Sequence, residues 1–124
     1  MPKPIIITLG KTTIRADLNG STTAKAIAAE LPIEASANRW GEEIYFSIDV
    51  QAEVEADASD IVETGDLAYW PPGNAFCIFF GRTPASQGKE IHAASPVNVV
   101  GRVQGDLAPL HDVPDGAPVV IKAS

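Results

Sequence analysis

A chain of 124 residues with 45% hydrophobic residues can bury one core, and its expected organisation is a single domain over residues 1–124. Its net charge of -7 excludes the basic footprint of a nucleic-acid binder, and no apolar run nears the roughly 20 residues of a membrane span. The single cysteine, Cys77, excludes an internal disulfide, and the opening Met1-Pro2-Lys3-Pro4 has no secretory pattern, so the expected location is the cytoplasm.

Pro4–Leu9 reads as a first strand with Ile5, Ile7 and Leu9 on one face, and Gly10-Lys11 as a tight turn. Thr12–Leu18 alternates Ile14, Ala16 and Leu18 with Thr13, Arg15 and Asp17, the pattern of a half-buried strand. Ser21 or Thr22 caps a helix expected over Thr22–Leu31, with Ala24, Ile27, Ala28 and Leu31 in one narrow stripe and Pro32 as its stop. Ile33–Asn38 is a further strand candidate, Arg39-Trp40-Gly41-Glu42 a turn, and Glu43–Val50 a strand with Ile44, Phe46, Ile48 and Val50 facing one way. Gln51–Thr64 carries Glu53, Glu55, Asp57, Asp60 and Glu63. It lacks the spacing of a calcium loop and reads as a solvated edge, with a strand around Ala52–Ala56.

The stretch from Gly65 to Gly81 organises the chain. It holds three of the four Phe, one of the two Trp, one of the two Tyr and the only Cys. Apolar runs Leu67–Trp70 and Ala75–Phe80 flank Pro71-Pro72-Gly73-Asn74, so a hairpin is expected, with Pro72 and Gly73 supplying the two central positions of a type II turn. Both strands are apolar at nearly every position, which requires cover on both faces. Arg82–Pro96 then reads as a long polar loop, Val97–Gln104 as a strand, Leu107–Leu110 as one helical turn and Ala117–Lys122 as the last strand.

Three stretches resemble the small cyclophilin-like proteins of bacteria and archaea. They are Thr23–Ile27 leading into Leu31-Pro32-Ile33, Asn38–Phe46, and Gly65–Gly73 through Phe76–Gly81; Ser95–Arg102 adds a fourth. The resemblance covers most of the chain. It implies a mainly β protein: a closed cyclophilin-like β-barrel of about eight strands with one or two short helices. The likeness to true cyclophilins, which are prolyl isomerases, rests on Phe76–Phe80 and Val97–Asp106. Those enzymes carry a Trp and a His between such segments and an Arg on an earlier strand. Here the intervening stretch has His92 and no Trp, and Leu67–Trp70 has no Arg.

Candidate ligand contacts are Arg39, Trp40, Tyr69, Trp70, Phe76, Phe80, His92, Asn98 and Arg102. The aromatic residues have two readings, a patch for a proline ring or flat ligand and an ordinary core; Trp70, before two prolines at a hairpin mouth, is the one expected to stay partly exposed with its indole N–H seeking a partner. Arg39 could lie over the Trp40 indole beside Glu42 at a barrel rim. His92 and His111 have no metal-ligand spacing, and Cys77 sits in an apolar strand without a sequence neighbour that would activate it, so no metal, cofactor or catalytic residue is assigned. The leading functional expectation is a binding barrel that holds a peptide segment or small molecule in a groove beside the 65–81 hairpin. The alternatives are a peptidyl-prolyl cis–trans isomerase, and a structural or assembly module with the hairpin as an oligomer interface. Membrane and nucleic-acid partners are not expected.

Overall fold

The computed structural model describes residues 2–86 and 88–124. The strands are β1 (Lys3–Leu9), β2 (Thr12–Leu18), β3 (Ile33–Ser36), β4 (Asn38–Arg39), β5 (Glu43–Ser47), β6 (Ser59–Val62), β7 (Asp66–Trp70), β8 (Ala75–Phe79), β9 (Ile91–Gln104) and β10 (Pro118–Ala123). The helix α1 spans Thr22–Ala29, and single 3-10 turns lie at Pro71–Gly73 and Ala108–Asp112. Helix α1 begins where its cap predicts: the Ser21 side chain accepts a hydrogen bond from the Ala24 amide at 3.1 Å. It ends two residues earlier than its apolar stripe suggests, with Glu30 closing the last turn. Ala24 and Ile27 are buried, and Ala28 and Leu31 pack partly against the core.

The sheet runs β3-β10-β1-β2-β9-β7-β8-β5-β4, with β6 pairing only with β9. The expected closed barrel of about eight strands is therefore corrected: among the described residues ten strands form, and hydrogen bonds do not close the sheet. The gap has a local cause. The stretch expected as one strand over 33–38 divides at Ala37, and the pieces on either side form the two opposite edges, β3 and β4. The Ala37 amide donates to the Ala117 carbonyl (2.8 Å) and its carbonyl accepts from the Gly116 amide (2.7 Å). Those groups are thus unavailable to a β3–β4 ladder, and the covalent chain itself bridges the two edges.

Alternation inside the hairpin produces two packed layers. Leu67, Tyr69, Phe76, Ile78 and Phe80 face an interior shared with Ile5, Ile7, Leu9, Ile44, Phe46 and Ile121. The rings of Phe46 and Phe76 stack there at 5.4 Å. Ala68, Ala75, Cys77 and Phe79 face outward and meet Val62, Ile91, Ala93 and Val97. The cover on that outer face comes from β6 and the first half of β9, which corrects the expected long loop over Arg82–Pro96: strand begins at Ile91, and His92 lies within it. The strand expected around Ala52–Ala56 forms instead at Ser59–Val62. Strand β9 can serve both layers because it bends. Its second half pairs with β7 and β2, and Gly101 is required where β2 crosses, since a Cβ there would stand 2.1 Å from the Asp17 carbonyl oxygen.

The hairpin loop also differs from the type II turn. Pro71–Gly73 form one 3-10 turn, and Asn74, not Gly73, takes the left-handed conformation (φ 47°). Gly73 is needed for another reason. A Cβ at this position would lie 2.8 Å from two ring carbons of Trp70, so the missing side chain is the seat of the indole.

Candidate functional site

The second half of the outer layer is not filled. Between its Ile61↔His92 and Ser59↔Val97 pairings, β9 has four intervening residues, 93–96, against one, Asp60, on β6. The excess bows away from β6. Beneath it, the hairpin presents small side chains, Ala68, Ala75 and Cys77. The result is a cavity of about 270 Å³ lined by Trp40, Glu43, Tyr45, Trp70, Cys77, Ala93, Ala94 and Val97. Trp40 opens the connection between β4 and β5: its backbone and that of Glu43 exchange hydrogen bonds of 3.0 and 3.2 Å across the Gly41-Glu42 turn. Trp70 is fixed on two sides: its ring lies over Gly73 and its Nε1–H donates to Ser95 Oγ at 2.6 Å. The sequence expectation that this indole would find a partner holds.

Glu43 and Cys77 occupy the floor. Tyr45 pairs with Cys77 and Glu43 with Phe79 across the β5–β8 ladder, which puts Glu43 and Cys77 on the same outer face as diagonal neighbours. Glu43 is only 6% exposed, and burial pushes its carboxyl up to about 7, opposed by a weaker hydrogen bond with the Cys77 thiol. The thiol in turn is pushed well above its ordinary range, by burial first and then by the carboxyl beside it, so it stays protonated and unreactive. Among the described residues, no Lys, Arg or His forms an ion pair with Glu43.

The candidate contacts read from sequence separate into groups. Trp40 and Trp70 line the cavity. Tyr69, Phe76 and Phe80 belong to the interior, where Tyr69 donates its hydroxyl hydrogen to the Val50 carbonyl. Arg39 turns inward as well. Its guanidinium donates to the Val113 carbonyl at 2.8 Å and lies over the Phe80 ring at 5.1 Å, not over Trp40. Asn98 is 1% exposed and acts as a clamp: its amide group donates to Thr23 Oγ1 and the Glu53 carbonyl, and its Oδ1 accepts from the Glu55 amide. His92 lies on β9 next to the cavity-lining Ala93 but does not line the cavity, with Asp60 3.5 Å and Glu90 3.7 Å from its ring nitrogens. Arg102 lies in a separate surface depression with Asp66, bonded at 2.7 Å. Burial raises the Asp66 carboxyl, while the Glu63 amide and Arg102 oppose that rise.

Sequence reasoning missed Glu43, Tyr45, Ala93, Ala94 and Val97. A signal existed for the first two: the alternation that sends Ile44 and Phe46 inward sends Glu43 and Tyr45 together to the other face. The residues from β9 depended on a bend that no local pattern announces.

A curled sheet with one helix, its outer face covered by β6 and the first half of β9, defines a small barrel-like β protein. The profile of the cyclophilin-like family matches residues 3–122, and the chain belongs to that family. It is similar to a hypothetical protein of Archaeoglobus fulgidus whose structure was determined in solution. That relative is 43% identical, with a TM-score of 0.85 over 99% of this chain and 95% of its own. No functionally curated protein matches the sequence. No helix among the described residues is long and apolar enough to cross a membrane.

Proposed function

We propose that this protein is a binding module whose site is the outer-face cavity, sized for a small molecule or for one side chain of a peptide. The observation that carries the reading is the combination at one place: an apolar cavity of about 270 Å³, three half-buried aromatic residues at its walls and one buried carboxyl on its floor. The inner face of the same hairpin is filled by large side chains; the outer face leaves room beside a buried carboxyl.

The isomerase reading draws less from the same geometry. A groove that twists a prolyl amide benefits from a donor at the amide nitrogen, and Arg39 and Arg102 are committed to the Val113 carbonyl and to Asp66. Titration of 15N-labelled protein with a library of small apolar and amphipathic fragments tests the binding reading. Binders should shift the Trp40 and Trp70 indole signals together with the Ala93 and Ala94 amides. Fragments that bind only elsewhere, or none that bind at all, would overturn it. Rate measurements on Xaa-Pro peptides should show no acceleration.

A further inference from the structure

We propose that the cavity selects an organic cation, an alkylammonium or quaternary ammonium group, with Trp40, Tyr45 and Trp70 as its aromatic walls and Glu43 as its counter-ion. This inference rests on the binding reading above and names the class of ligand for the same site.

Three observations lead to it. First, the walls suit a cation: indole and phenol faces attract positive charge, tryptophan most strongly, and the attraction grows when water is excluded. Trp70 is held in place by Gly73 beneath it and Ser95 at its N–H, so little ordering is left for the ligand to impose. Second, the floor supplies a carboxyl that pairs with no cation among the described residues. The arginines nearest in the chain are spent: Arg39 on backbone carbonyls and the Phe80 ring, Arg82 on the Ser86 and Gly88 carbonyls, Arg102 on Asp66 and Glu63. The rest of the lining is apolar, apart from the Cys77 thiol and the Tyr45 hydroxyl. Third, the chain carries a net charge of -7, a field that draws cations and repels anions.

The groups that face Glu43 decide its behaviour. Strand β8 contributes the neutral Cys77 thiol, β5 itself Tyr45, β7 and the β4–β5 loop the two indoles, and β9 only Ala93, Ala94 and Val97. The adjacent Glu42 points elsewhere, toward the Arg82 amide and His111. Burial keeps the Glu43 proton on until about pH 7. An entering ammonium stabilises the carboxylate, so binding near or below that pH releases a proton to solvent. A neutral ligand with a carbonyl oxygen would do the reverse, because it would accept a hydrogen bond from the protonated acid.

The test compares choline with its uncharged isostere 3,3-dimethylbutan-1-ol, titrated into the full chain at pH 6, 7 and 8 and followed by the indole signals. Choline should bind at least about tenfold more tightly than the alcohol at pH 8, the scale of a desolvated cation–π contact with a counter-ion. Its affinity should weaken toward a limit of about tenfold per pH unit below the Glu43 transition. Glu43→Gln should remove the pH dependence and most of the preference for choline, and Trp40→Ala should weaken choline more than the alcohol. The wild-type pH series stands even if either variant folds poorly. Equal binding of both probes, or tighter binding at lower pH, would overturn the cation while leaving the cavity as a binding site. Failure of both probes and of the fragment library to move the indole signals would overturn the binding reading itself.

Discussion

The two faces of the β7–β8 hairpin are built from one apolar sequence and end up as opposite environments. The inner face places Leu67, Tyr69, Phe76 and Ile78 against the strands across the sheet, and all four are fully buried. The outer face places Ala68, Ala75 and Cys77 at the alternating positions, with the large residues Phe79 and Trp70 at its two ends. Large side chains on one side close a core. Small ones on the other leave a void, which the bowed 93–96 segment of β9 roofs without filling. The difference between a structural and a candidate functional face is thus a difference in side-chain volume, not in polarity.

The sharpest way to test that contrast is to remove bulk from each face in turn. Phe76→Ala takes away a ring stacked on Phe46 and should cost about 3–5 kcal/mol in urea unfolding, through lost transfer energy and a new cavity. Cys77→Ala, one residue away on the open face, should change stability by no more than about 1 kcal/mol, because it enlarges a space that already exists. Similar losses at the two positions would erase the distinction.

Glu43 provides the next largest effect, and its sign is definite. Its carboxyl is raised from 4.5 to about 7 in the folded chain, so the native state holds a proton that the unfolded state has already released. Stability is therefore highest below the unfolded value and falls as pH rises through the folded one, by up to about 3 kcal/mol for this group. Asp66, also raised by burial, adds to the fall, so the readout is the difference between wild type and Glu43→Gln. The variant should gain on wild type from pH 5 to about 7 in thermal unfolding and level off by pH 8; parallel curves throughout would mean the floor of the cavity is wetter than its burial implies.

The substitution Gly73→Ala should cost about 1–3 kcal/mol, since its Cβ would meet the Trp70 ring at 2.8 Å and nothing rigid gives way except the indole. The Trp70 indole N–H signal should move as its bond to Ser95 breaks. An unchanged signal would show that the ring has another support.

How much of this was legible follows from what each feature depends on. The strands of strict alternation, Thr12–Leu18 and the start of Glu43–Val50, could be read because period two is a local property. The helix start was readable because Ser21 caps it through a bond within one turn. The family resemblance was readable because its motifs are contiguous. The open edge at Ala37, the strand at Ile91 and the fate of Arg39 were not, because each is decided by a distant partner: Ala117, β6 and Val113 in turn. The same limit applies to the cavity. Trp40 and Trp70 drew attention as individual residues, but Glu43 becomes interesting only when the β5–β8 register sets it beside Cys77.

The smallest effect is also the most discriminating. Ala16 and Ala93 are both buried, at 1% and 5% exposure, but Ala16 faces the interior and Ala93 lines the cavity. Leucine at position 16 must force neighbouring side chains off their rotamers and should destabilise by about 1–3 kcal/mol. Leucine at position 93 has space to enter, and each methylene it buries can contribute up to about 0.8 kcal/mol against the entropy of fixing the longer side chain. The balance should leave Ala93→Leu within about 1 kcal/mol of wild type. It should nevertheless abolish binding of any fragment that shifts the two indoles, since it occupies the same volume. Destabilisation of Ala93→Leu comparable to Ala16→Leu would show that the outer face is packed like the inner one, and the cavity would then have no room for a ligand.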